Sequence, residues 1–242
     1  ATFREGGQCL RNALDKGGAF TLKLIFHPKA SPQDVQQVKD AVQAFELLGA
    51  LGSRARHGLG SVASPKPMTC ADYAAAIQAL FKHTSVASAL PPFSACSAHT
   101  RIDISATAND PLKLLDQVGR EQQLYRSYGR QGLVNGQRAE RNFAADHDMV
   151  MRAISAEATP TTAPQRAVFG LPHNYFFSSI KDKADVNYVT AAAKRGGEEQ
   201  EARRASPLLL HIHPVSDGGF VAVHTLIPAK FLPDGARIQI KA

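Results

Sequence analysis

Residues 49–62 read Gly-Ala-Leu-Gly-Ser-Arg-Ala-Arg-His-Gly-Leu-Gly-Ser-Val and hold four glycines, two arginines, one histidine and no acid. Glycines this close together let a backbone adopt positive φ and bring its N–H groups up to a ligand's oxygens. Arg54 and Arg56 add positive charge beside those donors. A phosphodiester backbone suits that combination. The segment is not a nucleotide P-loop, because no Gly-Lys-Ser/Thr follows at the required spacing. Nor is it a dinucleotide fingerprint, because it follows an expected helix rather than a strand. Read from the residues alone, anion or nucleic-acid binding and a structural turn remain open alternatives.

Histidines offer a different chemistry. His211 and His213 alternate on an expected strand, so both imidazoles point to one face and can ligate a metal, with Asp217 or His224 as a third ligand. No further His, Cys or Asp stands at standard spacing around them, and the stronger expectation is no metal. Asp146-His147-Asp148 falls on an expected helix, where neighbours point about 100° apart and cannot converge on one ion. Metal-independent RNA cleavage needs an acid/base pair around a 2′-hydroxyl. His57 is the best single candidate, with His27 as a possible partner. Nucleophilic catalysis has less support, since there is no Gly-x-Ser-x-Gly and no cysteine has a plausible histidine partner near it in sequence.

These residues need elements to hold them. Residues 19–27 alternate with Phe20, Leu22, Leu24 and Phe26 on one face, which predicts a strand. Ser31, Pro32 and Asp34 then mark a helix start, and Val35, Val38, Val42, Phe45 and Leu48 continue at helical spacing to Gly49. Further helices are expected over 69–83, 110–128 and 139–155, with loops at 84–100 and 156–165. Residues 206–214, 219–228 and 236–241 read as strands, the first two joined by the turn signal Asp217-Gly218-Gly219. Residues 191–204, rich in Ala, Lys, Glu and Arg, are expected as an exposed helix or mobile loop. The order predicts an α+β fold with helices against an antiparallel sheet.

The chain has 242 residues, no tryptophan and a formal net charge of +7. It is long enough for a sizeable core, and no apolar run approaches the roughly 18 residues a membrane span needs. Three scattered cysteines with no CxxC fit neither a zinc ribbon nor a disulfide scaffold, and suit a reducing cytoplasm. The excess charge is placed rather than diffuse. Residues 49–67 hold Arg54, Arg56 and Lys66 without an acid, and residues 119–141 hold five arginines against Glu121 and Glu140.

The pattern Gly49-x-Leu51-Gly52-x-Arg54-x-Arg56-x-Gly58-x-Gly60-Ser61-Val62 resembles the glycine-rich loop of the RAMP superfamily of CRISPR effector subunits. Phe169-Gly170-Leu171-Pro172 and Arg203-Arg204-Ala205-Ser206-Pro207-Leu208 resemble later stretches of the first RAMP subunit of the Cmr (type III-B) complex. The three segments stand in the family's order across residues 49–208. The resemblance implies a ferredoxin-like (RRM-like) antiparallel sheet with a helical insertion. Its parts would be 1–67 (strand, helix and glycine loop), 68–165 (helical insertion) and 166–242 (β-rich, completing the sheet). The family's early basic Ser-x-Lys-Gly-type stretch is not found, and with the start at Ala1 this suggests a subunit lacking its N-terminal part.

The implied function is non-catalytic, with no cofactor: binding guide RNA and target RNA beside other RAMP subunits, in the cytoplasm and away from membranes. Carried over by position, Arg54, Arg56, His57, Gly58, Gly60 and Ser61 are the first RNA contacts expected, and Arg203, Arg204 and Ser206 the next. Two other roles remain in view. One is a RAMP-type endoribonuclease using His57, and the other is a scaffold that binds only protein partners. For the two later segments the plainer expectations are surface pairing of Arg203-Arg204 with Glu198, Glu199 and Glu201, and a packing turn at 169–172.

Overall fold

The computed structural model describes residues 17–83, 88–195 and 198–242. The chain divides into two units, Ala1–Lys39 and Asp40–Ala242.

In the first unit, residues 18–27 form no strand. Phe20, Leu22, Leu24 and Ile25 are all exposed, Ile25 by 81%. Period-two alternation yields a strand only where a neighbour supplies ladder hydrogen bonds, and among the described residues nothing pairs with this segment. Helix α1 (Pro32–Leu48) starts where the sequence places it. Ser31 Oγ accepts from the Asp34 N–H at 3.1 Å, and Asp34 Oδ2 accepts from the Ser31 N–H at 3.0 Å. This reciprocal cap satisfies two donors that a helix start leaves open.

The second unit receives the end of α1 and contains α2 (Cys70–His83), β1 (Arg101–Ala108), α3 (Pro111–Arg126), β2 (Leu133–Val134), β3 (Gln137–Arg138) and α4 (Ala144–Ile154). A short 3₁₀ helix (Gln165–Phe169) follows. The strands β4 (His173–Phe177), β5 (Asp182–Arg195), β6 (Glu198–Ala202), β7 (Leu208–Val215), β8 (Gly219–Leu226) and β9 (Arg237–Lys241) complete it. The fold is α+β, with helices packed on antiparallel sheets.

One sheet has the order β1-β8-β7. Val215, Val221 and Val223 pack from one face against Leu47, Tyr73, Ile77 and Leu80 of α1 and α2. Leu210, Ile212 and Ala222 pack from the other against Leu114 and Val118 of α3. Helix α3 begins as its sequence predicts, with Pro111 at its first position and Asp110 Oδ1 accepting from the N–H groups of Leu112 and Lys113. In the other sheet, β5 pairs with β4 and β6 along one edge and with β9 along the other. Tyr175, Phe177, Val186 and Tyr188 form its core with Val150 of α4, Ala167 and Leu171.

Two expectations change here. Within 191–204, expected as an exposed helix or mobile loop, residues 191–195 finish β5 and residues 198–202 form β6, with Lys194 opposite Glu199 and Arg195 opposite Glu198 in register. Backbone pairing between these two strands overrides the local helix propensity of Ala, Lys and Glu. The segment 68–165, expected as a helical insertion, also supplies β1, whose Ile102 and Ile104 pack into the first sheet's core. No helix among the described residues is long and apolar enough to cross a membrane.

Candidate functional site

The glycine loop leaves α1 and closes on itself. Gly49 N–H donates to the Phe45 carbonyl, Leu51 N–H to Gly60 at 2.8 Å and Val62 N–H to Gly49 at 3.3 Å. The turn needs glycine where φ is positive and space is short. Gly60 has φ 73°, and a Cβ there would strike the Leu51 carbonyl. Gly58 has φ 79°, and a Cβ would lie 2.7 Å from Leu115 Cδ1. Arg54 also adopts a left-handed conformation, φ 64°.

The loop is seated along the outer edge of β7. An edge strand presents N–H groups that need partners. The Arg56 carbonyl accepts from the Leu210 N–H at 3.0 Å, and Ser61 Oγ accepts from the Ile212 N–H at 3.0 Å while donating to the Gly58 carbonyl at 2.9 Å. His211 Nδ1 lies 2.9 Å from the Gly49 carbonyl, the geometry of an imidazole N–H donating to it. Arg56 Nη1 donates to the Ser206 carbonyl at 2.6 Å.

The later segments join the same assembly. Leu171 and Arg204 exchange both backbone hydrogen bonds, at 2.8 and 3.1 Å. Arg204 Nε donates to the Phe231 carbonyl at 2.6 Å and its Nη1 to the Val168 carbonyl at 2.9 Å. Gly170 has φ 121° and sits against this segment, where a Cβ would lie 3.0 Å from the Arg204 carbonyl oxygen and 3.3 Å from the Ser206 nitrogen. Segments 49–62, 169–172 and 203–208 therefore meet in one place, through Arg56–Ser206 and Leu171–Arg204.

The nine candidate residues thus divide by position. Arg56, Gly58, Ser61, Arg204 and Ser206 hold the loop and the strand edge together. Arg54, His57, Gly60 and Arg203 are exposed, and the three side chains among them make no hydrogen bond or ion pair among the described residues. Glu201 pairs with Lys241 at 2.6 Å rather than with Arg203 or Arg204. Burial and the nearby Arg126 and Arg54 guanidiniums push the His57 imidazole below its usual pKa. No hydrogen bond joins His57 to a second histidine, a tyrosine or a lysine among the described residues, and His27 belongs to the other unit, where its Nδ1 accepts from the Lys29 N–H.

His211 and His213 do share a face, but they bond to each other, Nε2 to Nδ1 at 3.2 Å, and His213 stacks on Tyr73 with centroids 3.9 Å apart. Burial drives both imidazoles down to about 4. Asp217 caps α2 by accepting from the Cys70 N–H. His224 stands opposite Leu210, whose side chain packs on the other face of the sheet from the histidine pair. Among the described residues, no three His, Cys, Asp or Glu side chains are placed to hold a metal ion. Asp146 instead accepts from the Gln165 and Arg166 N–H groups, while His147 stacks on Tyr128 at 3.8 Å.

No family model, curated protein or solved structure matches the chain.

Arg126, Arg166, His173 and Tyr175 were not among the sequence candidates, yet Arg126 lies close enough to His57 to affect its charge. Arg126 was visible only as one member of the 119–141 basic cluster. Arg166 follows a proline-bearing connector, and nothing in its local sequence sets it apart.

Proposed function

We propose that the chain is a non-catalytic, ferredoxin-like RNA-binding subunit of a type III-B CRISPR (Cmr) ribonucleoprotein. On this reading it works in the cytoplasm, without a cofactor, and contacts guide or target RNA beside other RAMP subunits. The observation that supports this most is the meeting of the three motif segments around the edge of β7, with Arg54 and His57 left facing outward. The braced base fixes the loop, and the outward rim offers positive charge and backbone to a phosphate chain. Contacts of this kind position RNA, while base pairing with the guide reads sequence. The antiparallel β1-β8-β7 sheet with helices packed on it supports the α+β part of this reading.

The test is single-stranded RNA binding by the full chain and by Arg54→Ala/His57→Ala at two salt concentrations. The wild type should bind with a steep salt dependence, and the variant should lose roughly 0.7 of slope per phosphate contact removed. Equal affinity for both would remove the loop from the RNA path. Site-specific cleavage that disappears with His57→Ala would assign catalysis instead. Capture of partner subunits with no RNA affinity would favour the scaffold role.

A further inference from the structure

A second cationic cluster lies where the end of α3, the 3₁₀ helix and β4 come together. Arg126 is in the last turn of α3, and its guanidinium lies over the Phe169 ring at 4.6 Å. Arg166, on the 3₁₀ helix, lies 5.7 Å from the Tyr175 ring centroid. His173 and Tyr175 alternate on β4 with ring centroids 5.4 Å apart. Tyr175 is only 6% exposed.

Three polar atoms of this cluster are buried without partners. Nε of Arg126, Nε of Arg166 and the Tyr175 hydroxyl are each closed to solvent and make no hydrogen bond. A buried donor left unpaired costs about 1–3 kcal/mol, and more when charged. Neither arginine forms an ion pair among the described residues. Asp146 is the acid that acts on this cluster, and it directs one oxygen to the Gln165 N–H and the other to the Arg166 N–H. Its charge offsets part of Arg166's. The carbonyl end of α3 favours Arg126 but provides no acceptor for its Nε.

Each group responds to the unbalanced charge. Burial and then Arg166 lower the Arg126 guanidinium. Burial and then the two arginines push His173 down to about 4. The cluster holds two cations and two neutral donors against one carboxylate already in use.

We propose that Arg126, Arg166, His173 and Tyr175 form a binding site for a phosphoryl oxyanion. Arginine forks suit a tetrahedral oxyanion with several acceptor oxygens, and both side chains remain partly open to solvent. The site does not depend on RNA binding by the glycine loop. The phosphoryl group belongs either to a small phosphate or to an RNA backbone passing His57, and the latter source alone rests on the function proposed above.

The experiment follows the His173 ring by NMR in the full chain. One titration uses inorganic phosphate against chloride at matched ionic strength, and a second uses a short oligoribonucleotide. Phosphate should shift the His173 resonances saturably and raise the imidazole pKa by about one unit or more, because an opposite charge favours the protonated ring. The response should vanish in Arg126→Gln/Arg166→Gln. A His173 ring that ignores both phosphate and oligoribonucleotide in the wild type overturns the proposal whether or not the variant folds, and so does a response that survives in a folded variant. A response to the oligoribonucleotide marks the phosphodiester as the source, and a response to phosphate alone marks a small phosphate. With Arg54→Ala, the phosphate response should persist even if RNA binding fails, which separates this site from the loop.

Discussion

Arg56 Nη1 donates to the Ser206 carbonyl oxygen at 2.6 Å, across 150 residues of chain. Its own carbonyl accepts from the Leu210 N–H. One residue thus ties the glycine loop both to the segment before β7 and to the strand's outer edge. Arg54, two positions earlier, is exposed and makes no such tie. Two arginines that look equivalent in sequence therefore have different work.

That division predicts opposite effects of their removal. Arg56→Ala should lower stability by about 1.5–3 kcal/mol, the range for a hydrogen bond from a charged donor. Arg54→Ala should change stability by less than about 0.5 kcal/mol while weakening RNA binding. Urea unfolding alongside RNA titration reads both. Equal destabilisation by the two variants would contradict the assignment of Arg56 as the brace.

Within the loop, Gly58→Ala and Gly52→Ala should separate crowding from backbone strain. Both positions have positive φ, 79° and 90°. A Cβ at Gly52 meets nothing within 4 Å, so only the left-handed conformation opposes it, at about 1–2 kcal/mol. At Gly58 the same Cβ also crowds Leu115 and Leu210, adding about 1–3 kcal/mol. Unfolding midpoints should rank wild type, then Gly52→Ala, then Gly58→Ala.

Elements with local signals were legible in the sequence. The capping pair Ser31 and Asp34 and the Asp110-Pro111 start fixed the beginnings of α1 and α3, because a helix start is written in adjacent residues. The β7–β8 hairpin was legible for the same reason. Strands that depend on distant partners were not: β5 and β6 hid behind helix-favouring residues, and the alternation at 19–27 promised a strand that no neighbour among the described residues completes. The candidate site divided likewise. Spacing identified the glycine loop, but the Arg126–Arg166–Tyr175 cluster joins three elements and has no local signature.

Arg203 and Arg204 offer a second adjacent pair with unlike roles. Arg204 makes two hydrogen bonds to carbonyls and lies over the Phe231 ring at 5.1 Å. Lysine keeps the charge but not the fork, so Arg204→Lys should cost about 1–2 kcal/mol. Arg203 is exposed, and Arg203→Ala should leave thermal unfolding unchanged within error. Any effect of Arg203→Ala should appear in RNA affinity and its salt slope.

Acid should weaken the fold through three buried imidazoles. His211, His213 and His173 are each pushed from 6.5 down to about 4, mainly by burial. All three are therefore neutral in the folded chain at pH values where the unfolded chain already binds their protons. Because the unfolded state binds more protons across that window, stability rises with pH there. The stabilisation is fully present above the unfolded value of 6.5 and is lost as pH falls through about 4. With His211 Nδ1 donating to Gly49, its Nε2 accepts from His213 Nδ1–H, so protonation of His211 would set two N–H groups against each other. The urea midpoint should accordingly fall between about pH 7 and pH 5. In His211→Asn, the side-chain amide can still reach the Gly49 carbonyl but cannot titrate, so the variant should show a smaller drop. An unchanged wild-type midpoint across that range would mean that these histidines are hydrated rather than sealed in the core. A drop of equal size in His211→Asn would assign the acid sensitivity to His173 and His213 alone.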